Sequence, residues 1–123
     1  MKILNPSDLI NQKIVEYCKP LQIIMILGKT KSGKVTIARK LAKELDRELF
    51  IADEFIERYG YDNALNQFEM ELDHCYYAGK SVIFEGILCY RLLRKLIGKG
   101  YYLPDMVIKV DCNEQTISHF YQT

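Results

Sequence analysis

The stretch Leu21-Gln22-Ile23-Ile24-Met25-Ile26-Leu27-Gly28-Lys29-Thr30-Lys31-Ser32-Gly33-Lys34 decides the fold. Leu21 to Leu27 is a short, nearly continuous apolar run bounded by Pro20 and Gly28, the pattern of a central strand buried on both faces. After Gly33, the positions Ala38, Leu41, Ala42 and Leu45 make one apolar helical face. A glycine loop therefore joins a strand to a helix. Gly28, Gly33 and Lys34 have the spacing G-x-x-x-x-G-K. Glycines at these positions let successive backbone N–H groups point into one concave nest, to which the following helix adds its positive end. A lysine after the second glycine reaches the outer phosphates of a nucleotide. The loop predicts a phosphate grip made by Gly28, Lys29, Thr30, Lys31, Ser32, Gly33, Lys34, Val35 and Thr36. The plainer alternative is a lysine-rich surface turn, which the strand before and the helix after disfavour.

Outward from the loop, strands and helices alternate. Asn5-Pro6-Ser7-Asp8 reads as a helix start, and Leu9, Ile10, Ile14, Tyr17 and Cys18 continue at helical spacing, giving a short N-terminal helix over about 6–19 that Pro20 closes. Leu49 to Ala52 is a second strand followed by Asp53-Glu54-Phe55. Leu65, Phe68, Leu72, Cys75 and Tyr76 mark a helix stopped by Gly79. Ser81 to Phe84 is a third strand, ending in Glu85-Gly86. Leu88, Leu92, Leu93, Leu96 and Ile97 mark another helix with Gly98 past its end, and Met106 to Val110 is a fourth strand ending in Asp111. The alternation predicts an α/β protein with a three-layer, doubly wound parallel sheet. The expected strand order is 49–52, 81–84, 21–27, 106–110, with the site at the strands' carboxyl ends.

A chain of 123 residues, 49% of them apolar, suits one domain spanning 1–123 with a real core. Its net charge of +1 supplies no field to draw it onto nucleic acid or an anionic membrane, so anion recognition must be local. No apolar run is long enough to cross a bilayer. Cys18, Cys75, Cys89 and Cys112 are scattered, and no secretory leader stands at the N-terminus; the expectation is a cytoplasmic protein with reduced thiols acting as small buried hydrophobes.

The loop resembles that of the P-loop NTPases, and the arrangement around it resembles their small-molecule kinases: uridine kinases, nucleoside monophosphate kinases and shikimate kinases. The ending Gly33-Lys34-Val35-Thr36 is similar to the Gly-Lys-Gly-Thr of adenylate kinases. Val35 departs from the common motif, which has a serine or threonine whose hydroxyl binds magnesium; valine offers no oxygen. Asp53-Glu54-Phe55 matches the family's acidic residue at the end of the second strand. Ser81 to Leu88 looks like the uridine kinase strand ending in Glu-Gly-Ile-Leu, and Leu103 to Asp111 resembles the strand after it. The resemblance implies a P-loop fold that stops before the family's lid and last strand. It implies ATP and magnesium as cofactors, and transfer of the γ-phosphate to a nucleoside, nucleotide or other small hydroxyl compound. In those roles Lys34 and Asp53 are catalytic and Glu85 supports magnesium through water. The partners are then a nucleotide and a small-molecule acceptor, without nucleic acid or membrane; the oligomeric state is left open. The alternative function is a nucleotide-binding regulatory or assembly module that no longer transfers phosphate.

Each candidate also has a plainer reading. Asp53 would serve equally as a helix cap, and Glu85 as a solvated residue after an edge strand. Arg91, Arg94 and Lys95 would clamp an acceptor phosphate or form an ordinary solvated helix face. Tyr101-Tyr102 beside Pro104 would stack on a base or pack a loop. His74 and His119 lack metal-ligand spacing.

Overall fold

The protein's structure, a computed structural model, describes residues 2–4, 12–28 and 34–110. In chain order its elements are β1 (Lys2–Leu4), α1 (Gln12–Cys18), β2 (Ile23–Gly28), α2 (Lys34–Leu45), β3 (Glu48–Ile51), α3 (Ala52–Tyr59), α4 (Tyr61–Tyr77), β4 (Val82–Glu85), α5 (Leu88–Lys99) and β5 (Met106–Val110). All strand pairs are parallel, in one five-stranded sheet of order β1-β5-β2-β4-β3. The four strands expected from sequence stand in the expected order. β1 was not expected; it adds an outer strand beside β5. The N-terminal helix is described from Gln12 onward, and its expected start at Asn5–Asp8 lies outside the described residues.

The unbroken apolar run of β2 follows from its central position, because helices cover both faces of the sheet. Side chains alternate along a strand, so Ile24 and Ile26 join Ile83, Met106 and Ile108 on one face, beneath Cys18 of α1 and Ala38, Leu41 and Ala42 of α2. Ile23, Met25 and Leu27 join Val82, Phe84 and Val107 on the other face, beneath α3, α4 and α5. Aromatic contacts tie that second layer together: Phe84 stacks on Phe50 with centroids 4.7 Å apart and meets the edge of Phe68 at 4.8 Å. Such ring pairs each contribute about 1 kcal/mol beyond their buried area.

Strands β2, β3 and β4 are displaced by one or two residues from the sequence reading, and two helices differ from it more. The residues after β3 form a separate helix, α3, broken from α4 at Gly60. α5 also runs through Gly98 to Lys99. Its stop is Gly100, whose left-handed φ of 70° turns the chain while its N–H bonds the Leu96 carbonyl at 3.0 Å. A helix ends where a residue adopts that conformation, and not merely at the first glycine.

The sheet's amino edge is laced by side chains. Asp105 Oδ2 accepts the N–H groups of Gln22 and Ile23, both at 2.9 Å, and so fixes where β2 begins. Gln22 Nε2 donates to the Tyr76 carbonyl at 2.9 Å, at the end of α4. Arg47 Nη2 donates to the carbonyls of Cys18 and Lys19, each at 2.9 Å, closing α1. The Tyr102 hydroxyl donates to Asp73 at 2.6 Å, and its ring stacks on Tyr76 at 3.9 Å.

Candidate functional site

The connections leaving β2 and β4 part company at the carboxyl edge. β2 leads into α2 on one face, while β4 leads into α5 on the other, although the two strands are hydrogen-bonded neighbours. Such divergence marks the place, outside the carboxyl ends of the strands, where open α/β sheets bind ligands. Gly28, Glu85 and the start of α2 all lie at this edge.

Gly28 is the last residue of β2, buried and paired with Val110 of β5. Lys29, Thr30, Lys31, Ser32 and Gly33 lie outside the described residues. α2 begins at Lys34, so the loop joins a strand end to a helix start, as the sequence predicts. Val35 and Thr36 complete that first turn with Lys34, and Thr36 is exposed. No acidic residue occupies the first turn of α2, whereas the first turn of α3 carries Asp53 and Glu54. α3 thus carries carboxylates at its own positive end, and the first turn of α2 carries none.

Glu85 is the more telling carboxylate. It ends β4, pairs in register with Ile26 of β2 and Ile51 of β3, and is only 2% exposed. Alternation puts it on the face of Ile83, the face covered by α2. The reading of Glu85 as a solvated residue after an edge strand is therefore wrong, because β4 is internal to the sheet. Glu85 and Lys109 are the buried charged residues among those described. A carboxylate this deep is stable only where donors or a cation answer it.

Gly86 sets how closely the end of β4 meets α3. Its φ is 124°, and a Cβ there would fall 2.4 Å from the Cβ of Ala52. Only glycine lets the end of β4 pass so close to the start of α3. The Gly86 N–H donates to the Ile26 carbonyl at 3.1 Å, carrying the attachment to β2 one residue further.

Asp53 comes to the same edge but stands further out. It is exposed, in the first turn of α3 after the edge strand β3, with β4 between it and β2. Two strand spacings amount to roughly 10 Å. The cap position of α3 is Ile51, without a side-chain cap bond, so Asp53 is not the cap the alternative reading required.

Lys109 was missed by the sequence reading. It faces the same side as Val107, opposite Leu27, and is 8% exposed. Its only sequence signal is a lysine inside the apolar run Met106-Val107-Ile108-Lys109-Val110.

The other candidates have surroundings of their own. Lys95 pairs with Glu69 at 3.8 Å, and the Arg91 guanidinium lies 5.3 Å from the ring centre of Tyr61, so these α5 residues bind to α4; Arg94 is exposed. Tyr102 packs at the amino edge, which removes it as a base-stacking platform at the carboxyl edge. Cys18, Cys75 and Cys89 are buried and free, and burial pushes the thiols of Cys18 and Cys75 up from their ordinary value. His74 is exposed on α4, while Asp111, Cys112 and His119 lie outside the described residues. Among the described residues, no group of three or more His, Cys, Asp or Glu could hold a metal, and no helix is long and apolar enough to cross a membrane.

Compared with models of protein families, with curated proteins and with solved structures, the chain matches none.

Proposed function

We infer that the chain is a P-loop nucleotide-binding protein that grips the phosphates of ATP with the loop from Gly28 to Lys34 and acts as a small-molecule kinase. The observation that carries the reading is the buried carboxylate of Glu85 beside β2, at the carboxyl edge of the sheet where that loop leads into α2. A triphosphate with magnesium needs backbone N–H groups, a lysine and a nearby carboxylate. Gly28 with the loop amides after it, Lys34 at the start of α2, and Glu85 would be these parts. Glu85 would support magnesium through water, since Val35 supplies no oxygen and no dedicated cluster of metal ligands is present among the described residues. Bound magnesium and the nucleotide supply the transferable phosphoryl group and partial neutralisation of its charge. Lys34 and the loop amides stabilise the charge that remains, and Asp53 orients or deprotonates the acceptor hydroxyl from the α3 side.

A second reading, a nucleotide-binding module without transfer, draws on the exposure of Asp53 and its distance of two strands from β2. Phosphoryl transfer from ATP to a panel of nucleosides, nucleoside monophosphates and small alcohols separates the two in the intact natural chain. Asp53→Asn keeps the size of the side chain and removes its charge, so transfer is expected to fall roughly a hundredfold with ATP binding intact. ATP binding without transfer to any acceptor, and with Asp53→Asn indistinguishable from the parent, would replace the kinase by the module.

A further inference from the structure

The net charge of +1 hides a division of charge between two helices. The solvent face of α2 carries Arg39, Lys40 and Lys43 with Glu44 after them, all exposed. The solvent face of α3 carries Asp53, Glu54 and Glu57 with Arg58 after them, also exposed. The spacing is the same on both helices, i, i+1, i+4 and i+5, and every sign is reversed. Residues four apart stand one turn above each other, so Arg39 and Lys43 make a positive edge that matches the negative edge of Asp53 and Glu57. The residues between them turn inward: Ala38, Leu41 and Ala42 pack on one face of the sheet, and Ala52, Phe55 and Ile56 pack on the other.

The two strips cannot meet within one molecule, because the sheet lies between α2 and α3. Between two molecules they can. We propose that copies of this chain associate head to tail, the basic strip of α2 on one copy docking on the acidic strip of α3 on the next. Charge complementarity selects this arrangement: a symmetric contact of α2 with α2, or of α3 with α3, sets like charges against each other. The contact is heterologous and leaves one strip of each kind free in a pair, so further copies add unless a ring closes. Exposed ion pairs are individually weak and are screened by salt. The association is therefore salt-sensitive, with a Kd on the order of 0.1–1 mM at low ionic strength. It does not depend on the P-loop reading.

Sedimentation equilibrium of the intact chain, at protein concentrations up to about 1 mM and in about 10 mM and about 1 M salt, tests it. The expected result is a weight-average mass that climbs above that of one chain with concentration in low salt and returns to it in high salt. Lys40→Glu with Lys43→Glu, or Glu54→Lys with Glu57→Lys, should weaken association about tenfold or more. All four changes in one chain exchange the two strips and should restore it. Adding Glu48→Lys and Glu71→Lys to the α2 pair instead returns the net charge to that of the parent without rebuilding the strips, and association should stay lost. Lys34 and Asp53 are unchanged throughout, and circular dichroism checks that each variant is folded. A parent that remains a monomer in low salt overturns the proposal, as does association that either pair of reversals leaves unaltered or that the four changes fail to restore. Binding of a DNA duplex by a monomeric parent, lost on reversal of Lys40 and Lys43, would assign the α2 strip to a polyanion and overturn it as well.

Discussion

The two edges of the sheet use polar side chains in opposite ways. At the amino edge polar groups are spent inside the fold: Asp105 on the first amides of β2, Gln22 on the end of α4, Tyr102 on Asp73. At the carboxyl edge two charged residues are buried, Glu85 and Lys109, flanking β2 on opposite faces where the glycine loop departs. The difference teaches that polar groups at the amino edge tie one element to the next, whereas at the carboxyl edge charge is carried into the packed faces of the sheet itself.

If this division is right, substitutions at the amino edge act on stability alone, while those at the carboxyl edge separate into shape and charge. The largest effect is expected at Gly86, where alanine meets both the positive φ and the Cβ of Ala52. Gly86→Ala is expected to lose about 3–5 kcal/mol in urea denaturation, from backbone strain and overpacking together. A loss below about 1 kcal/mol would mean that α3 yields easily and that the junction of β4 and α3 is not held as described.

Asp105→Ala leaves the amides of Gln22 and Ile23 without their acceptor and is expected to cost about 2 kcal/mol. Nucleotide affinity in the folded protein should be unchanged. A drop in affinity would join the two edges and break the comparison.

Tyr102→Phe is expected to cost about 1 kcal/mol at neutral pH, by removing the bond to Asp73. Burial, and then the Asp73 carboxylate, push the Tyr102 phenol well above its ordinary value. The folded chain therefore holds that proton when the unfolded chain, ionising near pH 10, has lost it. Stability present below about pH 10 falls as pH rises beyond it. The phenylalanine variant should show a shallower alkaline loss than the parent when denaturation is followed from pH 8 to 11.

Much of this layout was legible in the sequence, because buried parallel strands and amphipathic helices write their periods directly. Met106–Val110 was bounded as found, and the order of the four strands is the one expected of the doubly wound sheet. α3 was missed although Ala52, Phe55, Ile56 and Tyr59 have helical spacing. It follows β3 with no turn residue, and Ile51 at its start gives no capping signal. β1 has three residues, too few to display a period of two. The positions of Glu85 and Asp53 at strand ends could be read locally, but their depths could not. Depth depends on what packs over a strand end: the expected order already set the strand 81–84 inside the sheet and 49–52 at its edge, but not how α2 covers the face that carries Glu85. Lys109 passed as one more residue of an edge strand because β1, which lies beside β5, was not expected.

The central claim is that the loop from Gly28 to Lys34 grips the phosphates of a nucleotide, and titration of ATP into the parent chain and Lys34→Ala tests it most directly. The account predicts saturable binding by the parent and a loss of about 1.5–3 kcal/mol in the variant, the worth of one charge-assisted contact to the outer phosphates. Equal affinity in the two proteins, or no binding by either, would contradict it.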